Sequence, residues 1–359
     1  MASNTAKPAE LGDNAFPKIS GKAKDFLRRL QDLKDGGKLP AGTIDMEGTV
    51  KLHGMHADIV FDLQAPDSNE AAITFQSRNR ICDLDSSQHG WPINIAEHTS
   101  ALHDLKNQVL NRYADRDSTT FLDTTKPLII AGEYIGPKVQ KDVAVSELPP
   151  HFVILSVQIN GVWQQDSHYA DIEALGANII NVQRVPPYVV KFDPSNLTLS
   201  NPALHEMQRL ADEVEAECPF AASFGIKGRG EGIVWKLGTP EGMASARYWL
   251  KTKGPQFGPE NRIKPISAAD EKAKDDIDAA AAAWVSERRI EQAFEYLAEM
   301  GTPEQARKTT FINWIRADIL KEEATEIEQM KKKIPGVEKT LKQKLGGLAG
   351  AAFFRAHRQ

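Results

Sequence analysis

The chain has 359 residues, 41% hydrophobic and 26% charged, with a formal net charge of -5. That composition belongs to a globular protein long enough for two domains, and its mild acidity excludes the broad basic surface of a general nucleic-acid coat. Its two cysteines, Cys82 and Cys218, lie far apart without a CxxC, so a disulfide framework and a structural zinc site both lack support, and a reducing compartment is expected.

The opening "MASNTAKPAELGDNAFPKIS" has no apolar stretch of signal-peptide length, and no later run nears the roughly 18 apolar residues of a membrane span. An intracellular, soluble protein without a membrane partner is expected. From Thr43 to about Phe257, strand-like runs ("TVKLHGMHADIVF", "ITFQSRNRI", "PLIIAGEYIG", "HFVILSVQING", "NIINVQRVPPYVVKF", "GIVWKL") are split by Gly, Pro, Asn and Asp turns. Helical patterns run from Ile95 to Tyr113 and from Pro202 to Glu217. Strict βαβ alternation is missing, which predicts an α+β domain of antiparallel sheets with flanking helices over residues 1–265.

An all-helical C-terminal domain is predicted over 266–359. Val285, Ile290, Ala293, Phe294 and Leu297 suit one helix face, Gly301 stops it, and "TPEQ" restarts with Thr302 as cap, Pro303 at the first helical position and Gln305 completing a capping box. Phe311, Trp314, Ile315 and Ile319 mark the next apolar face. The last stretch, "KKKIPGVEKTLKQKLGGLAGAAFFRAHRQ", sets eight Lys or Arg against Glu338 and reads as a solvated basic tail or a contact for a phosphate backbone.

Lys51 begins the informative constellation. By itself K-x-x-G carries nothing, since "KISG", "KDGG", "KGRG", "KTKG", "KIPG" and "KLGG" repeat it, but "KLHG" is the copy with strand-like sequence on both sides. Downstream come Arg78 in "FQSRNRI", Glu133 in "AGEYIG", Glu231 in "GEGIVWKL", and Lys251 with Lys253 in "YWLKTKGPQF". The two lysines alternate and so share one strand face, as a phosphate site requires. Lysine is a nucleophile only as the neutral amine, so neighbouring positive charge assists it. "GIKGRGEG" fails as a phosphate loop because a strand follows where a helix is needed. His89, His98 and His103 lack the spacing of a metal site.

That ordered set resembles the covalent nucleotidyltransferases, the superfamily of polynucleotide ligases and capping enzymes, and within it the RNA ligase 2 family. The histidine in "KLHG" points there, where DNA ligases and capping enzymes usually have an aspartate. The resemblance covers about Thr43 to Phe257 and implies an ATP-dependent RNA ligase whose first domain is the adenylation domain and whose helical domain binds RNA ends. It implies Lys51 as the adenylated nucleophile, with ATP and Mg2+ (Mn2+ substituting) as cofactors and RNA with 5′-phosphate and 3′-hydroxyl ends as partner. Gly54 would admit the nucleotide, Arg78 contact the 5′-phosphate, Glu133 the ribose, Glu231 the metal, Lys251 and Lys253 the phosphates, and His53 orient nucleotide or metal-bound water. Two positions depart from the family pattern: His56 stands where asparagine is common, and Leu155 where an adenine-stacking phenylalanine is expected, leaving Phe152 as the fallback. The same scaffold serves DNA ligases and capping guanylyltransferases, and a noncatalytic RNA-binding module could keep the pocket.

Overall fold

The computed structural model describes residues 16–66, 72–82, 84, 90–116, 121–263 and 268–356. His89 lies outside these residues. The chain divides into two compact units, Met1–Pro265 and Ile266–Gln359.

In the first unit, strands β1 (Ile44–Lys51), β2 (Met55–Phe61), β3 (Ile73–Ser77), β4 (Leu128–Ile135), β5 (His151–Ile159), β6 (Val162–Trp163), β7 (Ile179–Asn181), β8 (Tyr188–Phe192), β9 (Gly232–Leu237) and β10 (Trp249–Lys253) form two sheets. The first has order β10-β9-β1-β8, all antiparallel. The second runs β3-β2-β4-β5-β6, with β7 parallel to β5. Helices α1 (Ala23–Asp35), α2 (Trp91–Ala96), α3 (Thr99–Ala114), α4 (Pro202–Ala216), α5 (Pro219–Ala222) and α6 (Pro240–Ala244) flank them. The single helix expected from Ile95 to Tyr113 is thus two, broken at Glu97–His98.

Period-two alternation decides what each sheet face does. On β1, Met46, Gly48 and Val50 are buried while Glu47, Thr49 and Lys51 are half-buried on the other face. The buried set packs with Phe26 and Leu30 of α1, Leu204 and Met207 of α4, and Trp235 in one core. A second core joins the outer face of the second sheet, with Ile59, Tyr134, Phe152 and Ile154, to Trp91, Leu102 and Leu105. A smaller cluster of Val60, Ile129, Ala131, Trp163 and Trp249 joins the two inner faces.

Lys236 of β9 is buried within that junction. It pairs with Asp166 at 2.6 Å, donates to Ser156 Oγ of β5 at 2.7 Å, and sits 3.9 Å over the Trp249 ring. Burial pushes the Lys236 amine down, and Asp166 opposes that. Removing one partner of such a buried pair leaves an uncompensated charge, and the bond to Ser156 ties β9 to β5 across the junction.

The second unit holds α7 (Ala268–Trp284), α8 (Glu287–Glu299), α9 (Glu304–Glu322), α10 (Ala324–Lys333) and α11 (Val337–Ala356) around Ala293, Leu297, Phe311, Ile315, Ile319, Leu341, Leu345 and Phe353. Helix α9 starts one residue later than predicted: Pro303 occupies the N-cap and no side chain caps it, so Thr302 does not serve. Gly301 does turn the chain, at φ 57°. The basic stretch is no tail, because α11 buries Leu341, Leu345, Ala349 and Phe353 along one face. Lys331 and Lys342 both pair with Glu338, and Lys344 pairs with Asp278.

Candidate active site at the mouth of the two-sheet cleft

The β1–β2 connection is tight because Gly54 lets it be. A Cβ at this position would lie 2.3 Å from the Tyr134 carbonyl oxygen, so only glycine admits β4 this close. The approach lets Gly54 N–H donate to Glu133 Oε1 at 2.9 Å. Glu133 stands directly across from His56 in the β2–β4 register. Burial pushes its carboxyl up, while Lys51, His56 and the Gly54 amide pull the other way.

On the facing sheet, Lys51 ends β1 opposite Gly232, and Lys253 ends β10 opposite the same glycine. Gly232 is forced too: its φ is 153° and a Cβ would lie 2.2 Å from the Thr252 carbonyl oxygen. Glu231, immediately before it, is therefore held between the two lysine-bearing strands. Its Oε2 accepts from Lys51 Nζ at 2.6 Å and lies 3.2 Å from His53 Nδ1, and its Oε1 pairs with Lys253 Nζ at 2.6 Å. The Glu231 side chain is 1% exposed, whereas Lys51 and Lys253 are 22% and 26% exposed. Burial alone would raise its carboxyl, but hydrogen bonds from His53, Lys253 and Lys51 and the Lys51 charge hold it at about 2.

Lys251 lies one alternation further in, half-buried on the same face of β10. Among the described residues its ammonium makes no hydrogen bond or ion pair, and burial, together with Lys253, Lys51 and Arg78, pushes it down. Three lysines at one mouth, against the Glu231 and Glu133 carboxylates, leave a net positive field, which suits a polyphosphate.

The structure therefore gathers Lys51, His53, Gly54, Glu133, Glu231, Lys251 and Lys253. Arg78 is near but differently placed from the sequence expectation: β3 ends at Ser77, and Arg78 sits exposed in the turn where Ser77 N–H bonds to Arg80 O at 2.9 Å. Its charge still reaches Asp58 and Lys251. Phe152 does not join the site. It is 0% exposed in the second core, beside Trp91, on the outer face of β5. A base cannot stack there without opening that core. Leu155 is half-buried toward the first core, on the other side of the strand.

Sequence reasoning overlooked Lys236 and the pair formed by His56 and Asp58. Both had a readable signal, since Lys236 shares parity with Gly232 and Val234, and Asp58 shares parity with His56. Among the described residues, Glu231 is the one carboxylate hydrogen-bonded to Lys51, and no three His, Cys, Asp or Glu cluster as metal ligands. A lone buried carboxylate fits a magnesium ion that takes its other ligands from phosphate and water, and does not fit a metal caged by protein.

Residues 45–253 match the family model for RNA ligase, more than half of the chain. The chain belongs to the RNA ligase family. Among solved structures, it is similar to a Naegleria gruberi RNA ligase mutant with AMP and Mn, at 15% identity and TM-score 0.44, over 73% of this chain and 63% of that one. Another mutant of that ligase, with ATP and Mn, gives 12% identity and TM-score 0.41 over 74% and 63%. An archaeal ATP-dependent RNA ligase gives 15% identity and TM-score 0.35 over 96% and 67%. The chain spans about 63% of the length of these Naegleria chains. Curated protein sequences give no match. Among the described residues no helix is long and apolar enough to cross a membrane.

Proposed function

We propose that the chain is an ATP-dependent RNA ligase that joins 3′-hydroxyl and 5′-phosphate ends through a lysyl-AMP at Lys51, and that it serves RNA repair. One observation carries the reading: the buried Glu231 carboxylate fixes Lys51 and Lys253 at the open end of a cleft whose facing wall presents Glu133 and Gly54.

In the first step Lys51 Nζ attacks the α-phosphate of ATP and pyrophosphate leaves. Glu231, held strongly ionised, is a poor proton acceptor, so its part is to aim the amine, and the proton leaves to water past the exposed part of Lys51. Lys251, unpaired among the described residues, and Lys253 neutralise the phosphate oxygens as charge builds in the transition state. Glu231 would also hold a magnesium ion, or manganese in its place, which supplies further charge neutralisation on the phosphates. Glu133 faces the ribose, with its carboxylate already aimed by the Gly54 amide. In the second step the RNA 5′-phosphate, met by Arg78, attacks the lysyl-AMP phosphorus and releases Lys51. The 3′-hydroxyl then attacks the 5′ phosphorus and expels AMP.

The residue 1–265 unit acts as the adenylation domain, and the helical unit engages RNA ends. Labelled ATP and magnesium test the first step by label trapped on the denatured protein. GTP labelling instead would indicate a capping enzyme, and no label with intact RNA binding a noncatalytic module. A nicked RNA duplex, a nicked DNA duplex and an unpaired RNA strand, run side by side, then define the substrate.

A further inference from the structure

His56 sits in the row of side chains facing the site, between Glu133 across β4 and the turn that carries Arg78. Its Nε2 lies 2.9 Å from both carboxylate oxygens of Asp58 and hydrogen-bonds to Oδ2. Asp58 is 1% exposed and has Gln76 directly opposite on β3. Among the described residues, Gln76 Oε1 and Asp58 Oδ1 both lack a hydrogen-bond donor, and the His56 ring is the side chain that holds the Asp58 carboxylate. A carboxylate fixed in this way holds an imidazole in the tautomer with hydrogen on Nε2, leaving the Nδ1 lone pair free.

Nδ1 has no hydrogen-bond partner among the described residues, and His56, itself largely buried, borders open space on one side. That space is a cavity of about 450 Å³ lined by His56, Ser77, Arg78, Asn79 and Arg80 together with Met55, Cys82 and Trp91. The Phe16 ring packs on the imidazole with centroids 4.7 Å apart and restricts its rotation. Aspartate, oriented imidazole, free ring nitrogen and an arginine-lined cavity beside the nucleophile together form a proton-accepting arrangement that the three-step scheme has not used.

We infer that His56 is the general base of the sealing step: its Nδ1 takes the proton of the RNA 3′-hydroxyl, with Asp58 as the positioning residue behind it. The inference rests on the ligase reading. As the 3′-oxygen bonds to the 5′ phosphorus, the bond from that phosphorus to the AMP oxygen breaks, AMP departs with the electron pair, and the hydroxyl proton ends on His56. Arginines in the same cavity hold the phosphate under attack. The charged groups facing His56 are Asp58 on its own strand, Glu133 on β4, Arg78 and Arg80 in the cavity, and Lys51 beyond Glu133. Burial pushes the Asp58 carboxyl up, and His56 and Arg78 counter that.

The test separates the steps in the full chain. Single-turnover sealing of a pre-adenylylated RNA, without ATP, is measured across pH beside adenylation of Lys51 by ATP, for wild type, His56→Asn, His56→Gln and Asp58→Asn. A general base contributes roughly 100-fold or more, so both His56 variants should lose at least tenfold more in sealing than in adenylation. The ascending limb of the wild-type sealing profile should flatten in them. Asp58→Asn should keep a limb but displace it, which loss of packing alone would not do. Adenylation is the folding control. Parallel losses in both steps, or a His56→Gln sealing profile that superimposes on wild type after scaling, overturn the role of His56 while leaving the ligase reading intact. Failure of the wild type to adenylate or seal overturns the ligase reading itself.

Discussion

Glu231→Gln keeps the volume of the side chain and removes its charge from between Lys51, His53 and Lys253. The fall of its carboxyl from 4.5 to about 2 corresponds to about 3 kcal/mol of preference for the ionised form in the folded protein. Lys51 and Lys253 are part-exposed and regain water when the carboxylate is lost, so about 1–2 kcal/mol of that should appear as lost stability near neutral pH. A carboxyl held low in the folded state contributes fully above its unfolded value, and the contribution disappears as pH falls toward the folded value. Urea unfolding followed from pH 7 down to pH about 2.5 should show the wild type more stable by a steady margin above about pH 5, with the margin closing below it. The same variant should adenylate on the order of a hundredfold more slowly. A margin that does not change with pH, or no margin at pH 7, would refute the claim that Glu231 is an ionised hub, whatever the kinetics.

Lys253→Ala and Lys251→Ala should each slow adenylation by about a hundredfold, read by single-turnover label transfer, and the Lys253 variant should also narrow the pH-dependent margin of Glu231. Gly54→Ala must move β4 or the β1–β2 turn to relieve a 2.3 Å contact, which should cost about 1–3 kcal/mol in chemical denaturation and reduce adenylation with it. A chain ending at residue 265 keeps both sheets and their cores and should retain most of its self-adenylation, while RNA affinity and sealing fall. If the truncated chain seals RNA as well as the whole, the helical unit has no part in holding RNA.

Much of this site was legible because strand alternation carries it. Lys251 and Lys253 share a face in the sequence pattern, and in the fold they line the same mouth. Order along the chain located Lys51, Glu133 and Glu231, but no periodicity could show that one Glu231 carboxylate bridges both flanking lysines, because their strands meet only through the β1–β9–β10 register. The sequence reading looked to positive neighbours to prepare Lys51, whereas the nearest partner is the negative Glu231. Phe152 was misplaced by the limits of pattern: "HFVILSV" is apolar on both faces, so parity alone does not tell core from cleft, and the irregularity in β4–β5 pairing at Ala131/Gly132 shifts it further. In the helical unit the basic stretch looked like a tail since its eight Lys or Arg stand against Glu338 alone. Leu341, Leu345, Ala349 and Phe353 nonetheless recur at spacings of four, which is enough to bury one helix face.

The central claim is a covalent adenylate on Lys51. Intact-mass analysis of the protein after incubation with ATP and magnesium, followed by peptide mapping, tests it most directly. The account predicts the added mass of one AMP on the peptide carrying Lys51, and its loss in both Lys51→Ala and Lys51→Arg, because a guanidinium stays protonated and cannot attack. An AMP adduct that persists in either variant, or one that maps to another lysine, would contradict it.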